Sequence, residues 1–198
     1  PVKGRKREVI VRIPIGIVLV LGVCAALFGT AGEQDVLAQG APAYVGSEKC
    51  SQCHMSYYND FRVSGHPYKL RKAAVAKLWP TPLPKGFTWD EISYVIGGYG
   101  WKMRFIDKEG YIITDEKGGT GKTQYNMATN EWVDYHPGED KPYACGPCHM
   151  TNYSSEGNQD DLPGMIGTWE FDGIQCEECH GPGADHAGAP SAANIVKD

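Results

Sequence analysis

Three pairs of cysteines in this sequence share one pattern, in which two residues separate the thiols and a histidine directly follows the second cysteine. Thiols at this spacing lie on one side of a helical turn, where each can form a thioether with a haem vinyl group. The adjoining imidazole can then reach the iron as its proximal ligand. The motifs are Cys50-Ser-Gln-Cys53-His54, Cys145-Gly-Pro-Cys148-His149 and Cys176-Glu-Glu-Cys179-His180. They predict three covalently bound haem c groups, which are attached outside the bacterial cytoplasm.

Two other uses of paired cysteines compete with haem attachment. Two of the pairs, for example those ending at Cys148 and beginning at Cys176, could together form a four-cysteine zinc site. The segment from Cys145 to Cys148 alone matches the thioredoxin-type redox sequence, but no βαβ pattern surrounds it. Neither alternative explains a histidine after all three pairs, since only 6 of the 198 residues are histidine. The seventh cysteine, Cys24, lies in an apolar run, so no conventional disulfide framework is expected.

Each haem iron also needs a ligand on its second face. Three histidines remain for this role, namely His66, His136 and His186, so the count permits two histidines at every iron. Methionine is the alternative axial residue and would raise the reduction potential. The available methionines are Met103, Met127, Met150 and Met165. Because a free histidine is more often a surface residue than a ligand, each of the three needs its own evidence.

Short helices are predicted around and after the first motif. Residues 47–63 form a helix that Ser47 caps, and residues 66–78 form a second helix with its apolar residues on one face. Thr88 and Glu91 make a capping box that begins a third, brief helix. These elements would position the first haem.

A different pattern occupies residues 100–136. It predicts two hairpins, one pairing residues 102–107 with 111–114 and the other pairing 123–127 with 131–135. The insert carries the aromatic residues Trp101, Phe105, Tyr111, Tyr125, Trp132 and Tyr135. These rings could pack against haem faces, although ordinary packing also explains them. Loops and short turns are expected beyond the insert, because haems would supply much of the core.

The N-terminus has the features of a membrane segment. Residues 9–28 form an apolar run of a length that matches a bilayer core. A basic cluster precedes it, which predicts a cytoplasmic N-terminus and an external haem domain. We therefore assign residues 1–28 as a basic N-terminus with a transmembrane anchor, 29–43 as a linker and 44–198 as the haem domain. The alternative is a cleaved signal peptide with its apolar core at 13–28.

The net charge of −5 limits the choice of partners. An acidic chain argues against nucleic acid as a partner. It is compatible with docking to a basic redox protein, and equally with a solvated acidic surface that has no specific partner.

Two segments resemble the tetrahaem cytochrome family that accepts electrons from hydroxylamine oxidoreductase. One runs from Tyr44 through the first motif to Ser64-Gly65-His66. The other runs from Gly173 through the third motif to Gly181-Pro-Gly and His186. With the middle motif, the similarity covers roughly residues 44–66 and 143–186.

The resemblance implies crossed axial ligation. His186 would complete the haem iron of His54, and His66 would complete that of His180. The middle haem, on His149, has a family counterpart that can lack a strong sixth ligand, and His136 could supply one here. The sequence departs from the family in lacking a fourth motif and in its β insert and membrane segment. For this reason the family's specific electron donor is not carried over.

Together these features predict a mainly α fold with extensive loops. The architecture would be that of a multihaem cytochrome c, with a small inserted β-hairpin region and an N-terminal transmembrane helix. Irons with two protein ligands do not bind substrate, so the expected function is electron transfer and not enzymatic catalysis. The protein would be a membrane-anchored triheme c-type cytochrome whose haem domain is periplasmic or extracellular.

The expected partners are a membrane redox complex, such as a quinol-oxidising one, and other cytochromes, with no small-molecule substrate. The chain could be separate from that complex or one of its subunits. The main alternative is a small multihaem redox enzyme that acts on a nitrogen oxide or hydroxylamine-type substrate at an open middle haem. In a third possibility, the haems would serve mainly as folding cores in a larger assembly.

Overall fold

An antiparallel sheet is the main element of the fold in the computed structural model, which describes residues 43–196. Within this range the sheet has seven strands, which are β1 (Leu70–Lys72), β2 (Ile92–Gly97), β3 (Lys102–Asp107), β4 (Tyr111–Ile112), β5 (Gln124–Asn126), β6 (Glu131–Val133) and β7 (Lys141–Pro142). The main path is β1-β2-β3-β4-β7, and β5 pairs with β3 and with β6. A second, two-stranded sheet joins β8 (Ser154–Asn158) to β9 (Ile166–Thr168).

The central strands are apolar on both faces, which explains their position in the sheet. Side chains alternate between the two faces of a strand. Tyr94 and Ile96 of β2 join one buried cluster, together with Ile106 of β3. Val95 of β2 and Phe105 of β3 join a second cluster. Because β-branched and aromatic residues suit such two-sided burial, β2 and β3 form the core of the fold.

The helices are short. They are α1 (Ser47–Ser51), α2 (Met55–Arg62), α3 (Ala73–Ala76), α4 (Gly146–His149), α5 (Cys176–His180) and α6 (Ala184–Gly188). Two further 3-10 turns cover Trp89–Glu91 and Gln159–Asp161. Three of the helices, α1, α4 and α5, contain residues of the cysteine motifs.

The predicted mainly α fold class is wrong. Helix and strand each account for about 24% of the described residues, so the fold is mixed. Where a second helix was expected over residues 66–78, the chain forms strand β1 and then a single helical turn. Leu70 pairs with Ile96 of β2. Short apolar runs fit a helix or a strand equally well, and pairing with β2 decides the outcome here.

The structure also differs from the brief helix predicted to begin at Thr88. The capping box between Thr88 and Glu91 is present, but it closes only a 3-10 turn. Strand β2 follows at once, because its residues pair with β3. The helix expected over residues 47–63 is divided at His54 into α1 and α2.

Both hairpins predicted within residues 100–136 are present. Strand β3 pairs with β4, and β5 pairs with β6. They are not a small insert, however, because β1, β2 and β7 extend the same sheet on either side.

The prediction also included an N-terminal transmembrane helix. No helix within residues 43–196 is long and apolar enough to cross a bilayer. Residues 9–28, to which that prediction applied, lie outside the described residues, as does nearly all of the linker assigned to 29–43.

Candidate haem-attachment sites

Each cysteine motif is folded as a helical turn. The amide of Cys53 donates to the carbonyl of Cys50 at 3.2 Å, and the amide of His54 donates to the same carbonyl at 2.9 Å. The amide of Cys148 likewise donates to the carbonyl of Cys145 at 3.3 Å. Within the described part of the chain, no disulfide joins any of the six motif cysteines. Both thiols of a motif are therefore available on one turn, as attachment to one haem requires.

The imidazole rings of His54 and His186 are close neighbours. Their centroids are 6.1 Å apart and their planes differ by 20°. Two imidazoles that bind one metal through bonds of about 2 Å place their centroids roughly 6 Å apart. Ring contact without an intervening atom would bring them closer. The distance between the two centroids is therefore compatible with two ligands on opposite faces of one haem iron.

Hydrogen bonds fix the orientation of the His186 and His180 imidazoles. The Nδ1 of His186 lies 3.1 Å from the carbonyl oxygen of Ser191 and 3.1 Å from Oδ1 of Asn194. The Nδ1 of His180 lies 3.0 Å from the carbonyl oxygen of Val196. Because these oxygens only accept, Nδ1 carries the proton and Nε2 is left free to bind metal.

The structure places His66 beside the third motif. The carbonyl of His66 accepts a hydrogen bond from the amide of Ile174 at 3.1 Å, two residues before Cys176. Gly173 has a φ of 73°, and a Cβ there would lie 2.9 Å from the carbonyl oxygen of Pro67. Glycine at this position allows the two loops to approach, which brings the exposed His66 near the turn that carries His180.

A buried carboxylate connects the first motif, the third motif and the segment of His186. Glu177 is only 2% exposed. It accepts hydrogen bonds from the amides of Val45 at 2.9 Å, Gly46 at 2.7 Å and Gly183 at 2.7 Å. Gly183 directly precedes α6, which carries His186. Sequence reasoning missed this residue, because a glutamate between two motif cysteines has no local feature that distinguishes it from an exposed one.

The first and third motifs also meet through their cysteines. Ser47, which was expected to cap a helix, instead accepts a hydrogen bond from the amide of Cys176 at 3.0 Å. Burial, with the neighbouring Cys176 thiol and Glu177 carboxylate, raises the pKa of the Cys50 thiol to about 11. The first and third motifs are therefore adjacent.

The second motif is joined to the third through the residues that follow it. The hydroxyl of Thr151 donates to the carbonyl of Gly173 at 2.9 Å and accepts from the amide of Gln175 at 2.8 Å. The amide of Asn152 donates to Glu178 at 3.2 Å. The third motif thus contacts both of the others.

His149 lines a cavity of about 470 Å³. Lys69, Lys102 and Arg104 also line it, together with the rings of Tyr68 and Trp101, and no carboxylate of the described residues does. Burial lowers the pKa of His149, and the positive charges of Lys69 and Arg104 lower it further. The lowered pKa favours the neutral imidazole, which is the form that binds metals. Its buried Nδ1 has no hydrogen-bond partner within residues 43–196. An aromatic, cationic cavity beside a motif histidine suits an anionic porphyrin.

His136 lies beside Glu139. Its Nδ1 is 3.0 Å from the carboxylate of Glu139, and it is not among the residues that line the cavity of His149. Of the alternative methionine ligands, three are buried in the hydrophobic clusters, namely Met103, Met150 and Met165. Met127 lines a different cavity.

The zinc alternative finds no support in the geometry. Within residues 43–196, no three His, Cys, Asp or Glu side chains come close enough to hold a metal ion. The motif residues thus fit haem attachment better than a four-cysteine site.

Comparison with known proteins also favours a haem protein over a zinc protein. The family model described as cytochrome c554 and c-prime matches residues 115–181, which include the second and third motifs. With the three attachment motifs, this similarity and that to solved multihaem proteins support a multihaem c-type cytochrome. No curated protein matches the chain significantly.

The similar solved structures are larger multihaem cytochromes. An undecahaem cytochrome from the S-layer of Carboxydothermus ferrireducens is 26% identical with a TM-score of 0.57, over 79% of this chain and 23% of that one. The outer cell wall cytochrome OcwA is 24% identical with a TM-score of 0.59, over 78% and 35%.

The octahaem sulfite reductase MccA of Wolinella succinogenes shares the fold at 18% identity with a TM-score of 0.50, over 75% and 33%. This chain therefore corresponds to between about a quarter and a third of the length of each of these proteins.

Proposed function

We propose that the chain is a triheme cytochrome that transfers electrons on the extracytoplasmic side of a membrane. The observation that carries this proposal is the pair of His54 and His186 rings, whose centroids lie 6.1 Å apart beside a helical-turn attachment motif. A bound haem supplies an iron that accepts and releases one electron. The protein's part is to bind three such groups and to hold them close together.

The six motif cysteines would bind the three haems, and the adjoining His54, His149 and His180 would be the proximal ligands. His186 would complete the iron site of His54, which its hydrogen bonds to Ser191 and Asn194 prepare it to do. His66 would complete the site of His180, since its loop is bound to the segment before Cys176. With both faces occupied by imidazoles, these two irons would bind no substrate.

The proposed partners are redox proteins. The similar structures include proteins described as S-layer and outer cell wall cytochromes, which supports an external location. We propose a membrane redox complex, such as a quinol-oxidising one, as the electron donor and an external cytochrome as the acceptor. The net charge of −5 favours partners with a basic docking surface.

A specific observation favours a second candidate function at the middle haem. The residues that line the cavity of His149 include neither a second histidine nor a methionine. An iron bound there by His149 alone would have an open position, where a nitrogen oxide or similar ligand could bind. In that case the protein would be a small multihaem redox enzyme. His136 as the sixth ligand remains the competing prediction for this iron.

Spectroscopy of the purified holoprotein tests the proposal. We expect an intact mass that exceeds the polypeptide mass by three haems, and low-spin ferric signals from the irons of His54 and His180. The variant H186A should convert one haem to a high-spin form that binds carbon monoxide. The variant H136A is the matched control and should leave the haem of His54 unchanged. A bare polypeptide mass, or an H186A spectrum like that of the wild type, would contradict the proposal.

The same spectra separate the two candidate functions. Carbon monoxide binding by one haem of the wild-type protein would favour the enzyme. If no haem binds it, the electron carrier is favoured.

A further inference from the structure

A second cavity, of about 270 Å³, lies beside a buried arginine. Arg71 belongs to β1 and is only 8% exposed. Its Nη2 donates to the carbonyl oxygen of Gly97 at 2.9 Å. Its Nε and Nη1 are also buried but have no hydrogen-bond partner within residues 43–196. In the same part of the chain, no carboxylate forms a salt bridge with Arg71.

A buried guanidinium without a counter-ion is unfavourable, because the charge has lost its hydration. Burial lowers the pKa of Arg71, as expected for a desolvated cation. The rings of Tyr68 and Trp79 lie 5.2 Å and 5.1 Å from the guanidinium carbon and offset part of this cost. The N–H groups of the guanidinium lie in its plane. The faces of these two rings do not accept hydrogen bonds from them as an anion would. The unpartnered donors therefore point to a missing acceptor.

The rest of the cavity suits an anion with an apolar body. Its walls include Trp79, Pro82, Met103 and Tyr125, and no acidic side chain among residues 43–196 lines it. Asn130 lines it as well, and the Tyr125 hydroxyl donates to Asn130 Oδ1 at 3.0 Å. The amide nitrogen of Asn130 is then left as a further donor.

We propose that Arg71 and this cavity form a carboxylate-binding site. A carboxylate matches the planar array of guanidinium donors and would accept from Nε or Nη1. The carboxylate could come from two sources. One is a propionate of the middle haem, because Tyr68 and Gly97 both contact Arg71 and also line the cavity of His149. The other is a small free carboxylate whose apolar part fills the space against Trp79 and Met103.

Benzoate binding to the purified holoprotein tests the free source. If a small carboxylate occupies the site, calorimetry should detect benzoate binding to the wild type, and R71Q should weaken it at least about tenfold. The control K72Q removes one positive charge from the adjacent, exposed residue of the same strand and should leave benzoate binding unchanged.

Infrared spectroscopy tests the propionate source. In holoprotein carrying haem labelled with ¹³C at its propionates, a carboxylate band in the reduced-minus-oxidised spectrum should shift in R71Q and not in K72Q. The wild type would then not bind benzoate, since the site is already filled. If R71Q does not fold, R71K serves in both measurements, because it keeps the charge but loses the planar donors.

The proposal is overturned if the wild type binds no benzoate and the propionate bands are the same in the wild type and the arginine variants. Benzoate binding of equal strength in the wild type and R71Q would overturn it too. Neither result would affect the proposed electron transfer, which does not depend on Arg71.

Discussion

At the scale of single residues, Glu177 links segments of the chain that are far apart in sequence. Its carboxylate accepts three backbone N–H groups, two from residues that precede the first motif and one from the residue that precedes α6. Hydrogen bonds to an ionised group are stronger than neutral ones. Glu177 is therefore a positioning residue for His54 and His186, although it is itself part of the third motif.

Replacement of Glu177 tests this role. E177Q should lower the free energy of unfolding by about 2–4 kcal/mol, because an amide accepts fewer of these donors and turns its own N–H groups toward them. It should also add high-spin character to the haem of His54. Urea unfolding and electron paramagnetic resonance of the holoprotein would measure the two effects. The neighbouring E178Q is the control, since Glu178 is exposed and accepts a single amide. Equal behaviour of E177Q and E178Q would refute the role.

At the scale of secondary structure, the β2–β3 hairpin supports the cavity of His149. Gly97 ends β2 with a φ of 69°, and a Cβ on it would overlap the carbonyl oxygen of Lys102. Gly100, in the same turn, has a φ of 79° but open space around it. The two glycines therefore share a backbone preference and differ in their surroundings.

Alanine at these two positions should separate the effects. G100A should cost about 1 kcal/mol of unfolding free energy, which is the penalty for a side chain at positive φ. G97A should cost at least about 2 kcal/mol more, since backbone atoms must also move. Denaturant unfolding of the holoproteins measures both values. If the two variants are equally stable, the close approach of Gly97 to Lys102 is not important for stability.

An ionic contact joins the large sheet to the segment after β8. Asp160 accepts from the hydroxyl of Tyr94 at 2.6 Å and from Lys72 at 2.9 Å. Burial alone would raise the pKa of Asp160, but the hydrogen bonds from Tyr94 and Lys72 outweigh it and hold the pKa below its ordinary value of 3.8. The contact therefore stabilises the folded state at pH values above the ordinary pKa of 3.8.

The pH dependence of stability follows from the sign of that shift. At pH 7, D160N should be about 1 kcal/mol less stable than the wild type. The difference should shrink as the pH falls below about 4, because the wild-type carboxylate then becomes protonated. Thermal unfolding between pH 3 and pH 7 would show this, with D161N as a control at the adjacent exposed residue. A difference that does not change with pH would contradict the assignment.

The secondary-structure elements also show which features can be predicted from the sequence. The attachment motifs and the two hairpins were predictable because each is specified within a few consecutive residues. Strand β1 was not, since its apolar residues fit a helix until Leu70 is paired with Ile96. Glu177 was missed for a similar reason, because its partners Val45 and Gly46 are far away in sequence. Local patterns thus predict where haems would attach, but not what holds the motifs together.

At the scale of the whole molecule, the charges are unevenly distributed. The chain has a net charge of −5, yet Lys69, Lys102 and Arg104 line the cavity of His149. The third motif instead carries Glu177 and Glu178. Nearby positive charge favours the reduced state of an iron centre, and negative charge disfavours it. We therefore expect the middle haem to have the highest reduction potential of the three.

A charge variant tests this expectation. K69Q should lower the potential of the middle haem by a few tens of millivolts, which corresponds to roughly 1 kcal/mol for one charge at about 10 Å in a partly solvated site. The other two potentials should change less. Spectroelectrochemical titration measures all three, and K77Q, at an exposed lysine outside the cavity, is the control. An unchanged middle potential in K69Q would show that the cavity charges do not tune it.

The contact between Glu177 and Val45 spans 132 positions of the sequence. A polypeptide is made and exported from its N-terminus, so the first motif becomes available for haem attachment long before Glu177 and His186 emerge. A haem bound at the first motif would then be held by Cys50, Cys53 and His54 alone until the last part of the chain is made. Maturation would therefore end at the first motif, where it began. A chain that terminated after the second motif would leave a haem at the first motif without Glu177 and His186.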